Sequence, residues 1–393
     1  MPNLRTMVTE LGSGLGMLGH DSIDGALAAR SPVMRSLSPD DWDQLSSVRA
    51  GGAFDGEFHS AWENGRAFLA ARDGLRGRLP QVLEWKGSVR ATGDEVAPVD
   101  LRIDHVYLVS CKYLSDILFN VSPKHVFDDL LVGGQSRRGP GAGGDWFAEV
   151  APVQYQRLYD VVRQSVRNGE LGSGPEPGSG GAAREWGPLA GGGTPALPGL
   201  EAARQDRQAG NALVAGRTLA GLRELPTAAL DLSSSHRAAL GECLKAGWPG
   251  EAKSAYEDLS QQVAQASASR WRDALSATAG AGSFMLWRLL RMGSAPYFVL
   301  GSSATRSLRL RIATPWDWRQ FFSLVRFEIT PQEGGQPRVG WSAEVLERSS
   351  GLHQRISGHV EIRWSHGRFG GAPEAKGYID TPHHLVPGYF PLQ

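Results

Sequence analysis

The spacing of hydrophobic residues predicts a helix followed by three strands between residues 54 and 109. Residues 57–72 carry apolar side chains at intervals typical of one helix face, namely Phe58, Trp62, Phe68 and Leu69. Three short segments rich in strand-forming residues follow, at 81–89, 99–103 and 106–109. Asp104 and His105 separate the last two segments and predict a tight turn or short bend, so that these strands form a hairpin.

Three further elements complete an α-β-β-β-α-β-α order up to residue 170. Ser122 and Pro123 are typical of a helix start, with Ser as cap and Pro in the first turn, and predict a helix over 122–131. A strand is expected over 146–150 and a helix over 153–166. This part of the chain therefore has the alternation of an α/β protein.

The rest of the chain is predicted to form four separate stretches. Residues 1–53 are poorly patterned and are interpreted as a leader. Within it, Gly12-Ser-Gly-Leu-Gly16 resembles a phosphate loop but follows no clear strand and lacks the Lys-Ser/Thr of a P-loop, so a flexible segment is the preferred interpretation. Residues 171–199 are a Gly/Pro-rich linker, 200–293 a helical region, and 294–393 a β-rich or α+β C-terminal domain.

Composition and charge exclude few classes of function. The 393 residues include 41 Lys+Arg and 41 Asp+Glu, so net charge neither favours nor excludes a nucleic-acid partner. The two cysteines, Cys111 and Cys243, are too few for a disulfide framework or a zinc cage. They favour a reducing cytoplasm, as does the lack of a signal-peptide core or a long apolar run.

The predicted hairpin carries the residues with the clearest chemistry. Pro98-Val-Asp100 stands at the start of its first strand, and Ser110-Cys-Lys112 stands at the end of its second. Side chains two positions apart share one face of a strand, so Ser110 and Lys112 point the same way while Cys111 points away and is expected to pack. This arrangement resembles the metal-binding hairpin of PD-(D/E)XK nucleases, with the Ser-x-Lys variant of the second element.

The resemblance covers residues 54–167 and implies a restriction-endonuclease-like αβββαβ core within an α/β protein. It implies Mg²⁺ as cofactor, with Asp100 as metal ligand, Lys112 positioning or activating the attacking water, and Ser110 assisting by hydrogen bonding. Because Ser110 stands where the family usually has an acid, another carboxylate has to complete the site. The candidates are Glu63 on the first helix and Asp128 or Asp129 on the helix that follows the hairpin.

DNA is the partner that the resemblance implies, with a homodimer or a partner subunit of a defence system as the expected assembly. Five residues are candidates for nucleic-acid contacts because they mix cations with indole rings: Arg270, Arg272, Arg363, Trp364 and Arg368. The alternative for such residues is packing, with the Trp buried and the Arg reaching solvent.

Three functions stay open on the sequence alone. The first is a Mg²⁺-dependent DNA endonuclease, restriction-like or part of phage defence. The second is a non-catalytic nucleic-acid-binding or assembly subunit on a degenerate nuclease core. The third is a structural protein, since short acid-x-Lys patterns also occur by chance, as in Glu84-Trp-Lys86 and Glu374-Ala-Lys376.

Overall fold

A computed structural model describes residues 4–87, 99–113, 117–130, 145–169, 222, 224–245, 247–302, 307–332, 334–365 and 367–393. Within these ranges the chain is a mixed α/β protein with two sheets. No described helix combines the length and the apolar composition that a membrane crossing requires. The linker predicted at 171–199 lies outside the described residues.

Most of the described helices fall into two groups along the chain. One group precedes residue 83, and the other lies between residues 146 and 289. The first group is α1 (Leu4–Gly16), α2 (Ile23–Ala29), α3 (Pro39–Ala50) and α4 (Asp55–Ala70). The second is α5 (Trp146–Val150), α6 (Pro152–Arg167), α7 (Ser234–Cys243), α8 (Ala252–Ala277) and α9 (Ala281–Leu289), with α10 (Pro315–Phe321) later in the chain. A π-helical turn covers His125–Asp129, and 3-10 turns cover Ala229–Asp231 and His383–Leu385.

The larger sheet has seven strands in the order β1-β2-β3-β4-β6-β7-β12. Its strands are β1 (Met34–Arg35), β2 (Leu83–Trp85), β3 (Leu101–Ile103), β4 (Tyr107–Tyr113), β6 (Tyr297–Ser302), β7 (Ser307–Ile312) and β12 (Tyr389–Pro391). Strands β2, β3 and β4 form an antiparallel meander, and β6 then lies parallel to β4. Strand β6 can lie parallel to β4 because the long connection between them brings the chain back to the end of the sheet at which β4 begins.

The smaller sheet is antiparallel, in the order β5-β11-β10-β9-β8. Its strands are β5 (Phe119–Val121), β8 (Phe322–Gln332), β9 (Arg338–Glu347), β10 (His353–Arg363) and β11 (Glu374–Ile379). Both sheets thus combine strands from the stretch predicted as nuclease core and from the stretch predicted as C-terminal domain.

The hairpin predicted around Asp104 and His105 is confirmed. Both residues have positive φ, 49° and 60°, as the two central residues of a type I′ turn require. The Val106 amide donates to the Ile103 carbonyl across the turn at 3.0 Å. The Asp104 side chain fastens the turn to β2, since its Oδ1 accepts from the amides of Gln81 and Val82.

Two predictions of local structure are wrong. Residues 146–150 form helix α5 instead of a strand, because Asp145 caps the helix by accepting from the Phe147 amide at 3.2 Å. The segment around Gly12 to Gly16 is a buried helix instead of a flexible leader. Its apolar residues recur every four positions at Met7, Leu11 and Leu15, and all three are at most 3% exposed.

The glycines of α1 serve a close contact between α1 and α4. A Cβ added at Gly16 would lie 2.3 Å from the Trp62 carbonyl oxygen, and one at Gly65 would lie 2.0 Å from the Ser13 carbonyl oxygen. At Gly12 the nearest atom would be the Ala61 Cβ, at 2.9 Å. Only a residue without a side chain allows the two helix backbones to approach this closely.

This contact predicts that Gly65→Ala destabilises the protein by about 2 kcal/mol, because the added methyl forces the packed helices apart. Urea denaturation measures the change in the free energy of unfolding. Gly56→Ala on the same helix is the matched control, since its Cβ would meet nothing closer than the Tyr113 hydroxyl at 3.8 Å. The control is expected to be neutral or to stabilise by about 0.5–1 kcal/mol through helix propensity. Equal effects of the two substitutions would contradict the close contact.

Candidate functional site

The structure brings Asp100 and Ser110 together at the open end of the hairpin. Asp100 directly precedes β3, and its amide donates to the Val109 carbonyl on β4 at 2.9 Å. Its Oδ2 accepts two hydrogen bonds from β4, one from the Ser110 hydroxyl at 3.0 Å and one from the Cys111 amide at 2.6 Å. The carboxylate is therefore held in a fixed position against the second strand.

Ser110 is fully buried and links Asp100 to a second layer of polar groups. The Tyr297 hydroxyl on β6 is hydrogen-bonded to both Ser110 and Arg291, and burial raises the pKa of Tyr297 to about 12. The Ser110 hydroxyl directs its proton to Asp100.

Lys112 shares the Ser110 face of β4, and Cys111 faces the other way. The Lys112 side chain lines a small cavity of about 20 Å³ together with Tyr297 and Arg291. Cys111 is buried under α1 and hydrogen-bonded to Ser13, and burial raises the pKa of its thiol. The packing role predicted for Cys111 agrees with this position.

A third charged residue, Glu10 of α1, lies on the Cys111 side of the sheet, within electrostatic range of Asp100 and Lys112. Glu10 is only 5% exposed, and its Oε2 accepts from the Trp85 indole nitrogen at 2.6 Å. Burial and the charge of Asp100 raise the pKa of Glu10 to about 8, against the opposing effects of the Trp85 hydrogen bond and the Lys112 charge. Two carboxyl groups and one lysine thus interact electrostatically at the end of the hairpin.

The acids proposed from the sequence have other surroundings. Glu63 is exposed, whereas its helix α4 buries the face that carries Phe58 and Trp62. Asp128 has both oxygens held by cations, Oδ1 by Arg270 at 2.7 Å and Oδ2 by Lys124 at 3.9 Å. The acid on which the Asp100 charge acts is instead Glu10, whose pKa it raises.

Sequence reasoning missed Glu10 because its helix was taken for a leader. A usable signal was present, since Glu10 lies among the apolar positions 7, 8, 11 and 15 of a helical pattern. A charged residue inside such a stripe is unusual in a merely structural helix and is a mark of a functional position.

The two arginines predicted on α8 make structural contacts. Arg270 lies over the Trp146 ring at 5.3 Å and forms ion pairs with Asp128 and with Glu149, the latter at 3.3 Å. Arg272 donates to the Ile329 carbonyl of β8 at 2.9 Å. These side chains join α8 to neighbouring elements.

The three C-terminal candidates are also engaged within the protein. Trp364 packs in an aromatic cluster, with ring centroids 4.6 Å from Phe147 and 5.0 Å from Phe369. Arg368 lies over the Trp248 ring at 4.6 Å and donates to the Leu244 carbonyl, and burial lowers its pKa. Arg363 contacts Glu361 at 3.4 Å. The packing alternative therefore describes these residues better than an exposed nucleic-acid surface.

The second acid-x-Lys pattern, Glu374-Ala-Lys376, belongs to a charge ladder. Its strand β11 pairs with β10 so that Lys376 lies opposite Glu361 and Glu374 lies opposite Arg363. Arg338 on β9 adds a further cation to Glu361 at 3.6 Å. Each acid here faces a cation across the strands, and Glu361 and Lys376 are buried, so the ladder consists of paired charges that stabilise the sheet.

The carboxylates near the hairpin would suit a hard cation such as Mg²⁺ if waters or phosphates supplied its other ligands. Among the described residues, no group of three or more His, Cys, Asp or Glu could hold a metal ion. Mg²⁺ is commonly bound through one or two carboxylates, with waters and substrate phosphates as the other ligands. Glu10 and Asp100 fit this mode, since a cation between them would relieve the repulsion that raises the Glu10 pKa.

Comparison with known proteins adds no relative: no family model, no curated protein and no solved structure matches this chain.

The raised pKa of Glu10 predicts how stability depends on pH. The folded protein keeps a proton on Glu10 that the unfolded chain releases, so stability falls as pH rises from about 4.5 to about 8. The loss is at most about 1.4 kcal/mol per pH unit in this window. Glu10→Gln removes this contribution, and urea unfolding of both proteins in metal-free buffer across the window measures it. Parallel pH curves for wild type and variant would exclude the shifted Glu10.

Proposed function

We propose that this chain is a Mg²⁺-dependent DNA endonuclease with a restriction-endonuclease-like core. The observation that carries the proposal is the fixed Asp100 carboxylate, held by Ser110 and Cys111 beside Lys112, with Glu10 of α1 within electrostatic range. Two acids and a lysine near this hairpin are the residue types that metal-assisted phosphodiester hydrolysis needs.

The order of elements supports the same proposal. Helix α1 comes first, the antiparallel strands β2, β3 and β4 follow, and the helical segment then leads to the parallel strand β6. Apart from α2, β1, α3 and α4, which lie between α1 and β2, and β5, which follows β4, this succession would correspond to αβββαβ with α1 as its first helix in place of the predicted helix at 57–72. In this assignment the acid contributed by the first helix is Glu10.

Each residue has a distinct task in the proposed reaction. Glu10 and Asp100 would hold the cation, which supplies an activated water and neutralises phosphate charge when bound. Lys112 would orient the attacking water by hydrogen bonding while its charge offsets that of the phosphate. The water would release a proton to solvent as its oxygen bonds to phosphorus, and the P–O ester bond that breaks would leave an alkoxide that takes up a proton. Ser110 would keep the Asp100 carboxylate in place through the 3.0 Å hydrogen bond.

The proposal predicts cleavage of plasmid DNA that requires Mg²⁺ or Mn²⁺ and depends on the three charged residues. Asp100→Asn, Lys112→Met and Glu10→Gln are each expected to lower the cleavage rate by about 100-fold or more, since each removes a charge that acts on the transition state. Ser110→Ala is expected to cost about tenfold, because a positioning hydrogen bond is lost while the carboxylate stays. Gel electrophoresis of nicked and linear products measures all four.

Glu84→Gln is the matched control, because Glu84 lies on the neighbouring strand β2 and belongs to the other acid-x-Lys pattern. Its ion-pair partners are Lys86 and His105. Cleavage that persists at the wild-type rate in Asp100→Asn would overturn the proposal.

Metal binding gives a second prediction that does not require cleavage. Mg²⁺ at about 100 times its Kd stabilises the folded protein by about 2.7 kcal/mol, and a thermal unfolding scan records the rise in Tm. The rise is expected to be larger at pH 8 than at pH 5, because protons compete for Glu10. Asp100→Asn should abolish it. An equal rise in wild type and variant would place the ion elsewhere.

The alternative is a nucleic-acid-binding or assembly subunit on a degenerate core. Ser110 in the acidic position, where this family usually has a metal-binding acid, is the observation that favours it. DNA that is retained but left intact in Mg²⁺ and Mn²⁺, with no Tm response to either ion, would support this alternative over the endonuclease.

A further inference from the structure

Arg291, just past the end of α9, occupies a backbone position that favours glycine. Its φ is 62°, in the left-handed region. The Met292 amide donates to the Trp287 carbonyl at 2.8 Å, which is the hydrogen bond of a helix end where this position is usually glycine. An arginine is less favourable there, because its Cβ crowds the backbone. The strained conformation therefore points to a role for the Arg291 side chain.

The Arg291 side chain is directed into the protein. The residue is only 7% exposed, and its guanidinium lies over the Phe119 ring at 5.6 Å. The Tyr389 hydroxyl donates to the Leu290 carbonyl at 2.9 Å and holds the adjoining backbone. Because a guanidinium loses its hydration when it is buried, the hydrogen bonds that it makes inside the protein determine where it lies.

Tyr297 on β6 links Arg291 to the hairpin. Tyr297 is 2% exposed, and its hydroxyl is hydrogen-bonded to both Arg291 and Ser110. Val299 pairs with Ser110, and Tyr297 lies two residues before Val299, so Tyr297 and Ser110 share one face of the sheet. Ser110 in turn donates to Asp100 Oδ2 at 3.0 Å. A continuous chain of hydrogen bonds therefore runs from Arg291 to Asp100.

The two ends of this chain of hydrogen bonds fix its direction. A guanidinium only donates hydrogen bonds, and an ionised carboxylate only accepts them. The hydroxyls of Tyr297 and Ser110 lie between these ends and have one proton each, so each donates towards Asp100. Hydrogen bonds aligned in this way polarise and strengthen one another in a dry environment. The hydrogen bond that Asp100 receives from Ser110 thus depends on the buried charge of Arg291.

We infer that Arg291 and Tyr297 are positioning residues, which orient the Asp100 carboxylate through Ser110. The orientation of the carboxylate concerns the hairpin alone, whereas its effect on cleavage rests on the proposed function. Groups that hydrogen-bond to a metal ligand orient it and tune its basicity, and their loss typically costs about 10–100-fold in metal affinity or activity.

Plasmid cleavage in Mg²⁺ tests the effect on the reaction. Tyr297→Phe removes one hydroxyl and keeps the buried ring. It is expected to lower kcat about tenfold without a change in KM, because the orientation of Asp100 affects the chemical step and not DNA binding. Arg291→Met, which removes the donors and keeps a long side chain, should have the same effect. The double variant Ser110→Ala with Tyr297→Phe should be no slower than Ser110→Ala alone, since Tyr297 acts through Ser110.

An NMR measurement follows Asp100 without metal or DNA. The chain has two cysteines, Cys111 and Cys243, so protein labelled with nitrogen-15 cysteine gives two backbone amide signals. The Cys111 amide donates to Asp100 Oδ2 at 2.6 Å and therefore reports on the carboxylate. Its signal is expected to move in Tyr297→Phe and in Arg291→Met, whereas the Cys243 signal stays in place.

Tyr159→Phe on α6 is the matched control. Tyr159 is also buried, and its hydroxyl donates to the Pro226 carbonyl at 2.6 Å. The substitution removes a hydrogen-bonded hydroxyl, as Tyr297→Phe does, but should change neither kcat nor the Cys111 signal. Thermal unfolding establishes that each variant is folded at the assay temperature.

Three results would overturn the positioning role. They are wild-type kcat in Tyr297→Phe, a Cys111 signal that does not move, and an additive loss of about a hundredfold in the double variant. A Cys111 signal that moves, in a protein whose wild type leaves DNA intact, would contradict the endonuclease proposal and leave the orientation of Asp100 by Arg291 and Tyr297 standing.

Discussion

The contact between α1 and α4 is the constraint on which the candidate site depends. Gly12, Gly16 and Gly65 allow the two helix backbones to meet without side chains between them. The approach places α1 across the sheet, so that Glu10 reaches the Trp85 indole and the charge of Asp100. A bulkier residue at these glycines would change the position of α1 and with it the position of Glu10 relative to Asp100.

The charges at the hairpin are arranged at a cost to stability. Burial of Glu10 next to Asp100 raises its pKa because two negative charges in a dry environment repel each other. Lys112 offsets part of this repulsion, and a divalent cation would offset the rest. Ionisable groups held in an unfavourable state are common where ligands bind, since the ligand supplies the missing interaction. Elsewhere in the chain, charged residues of the same types are paired directly, as Glu361 and Lys376 are on neighbouring strands.

The sequence predicted the elements whose signals are local. Alternation and turn chemistry located the hairpin at Asp104 and His105, and its geometry agrees. The segment Gly12–Gly16 was misjudged because glycine is favoured both in loops and in close helix contacts, and only the partner helix distinguishes them. The hydrogen bond between Glu10 and Trp85 joins residues 75 positions apart, so no local sequence pattern predicts it. Arg and Trp side chains were likewise ambiguous, because the same residue types pack inward or face solvent.

Strand β6 supports the hairpin from the neighbouring position in the large sheet. It lies parallel to β4, where Val299 pairs with Ser110 and Gly301 pairs with Lys112, and it contributes the Tyr297 hydroxyl that bonds to Ser110. Because Ser110 also fixes the Asp100 carboxylate, a change at Tyr297 would act through Ser110 on the geometry of the hairpin.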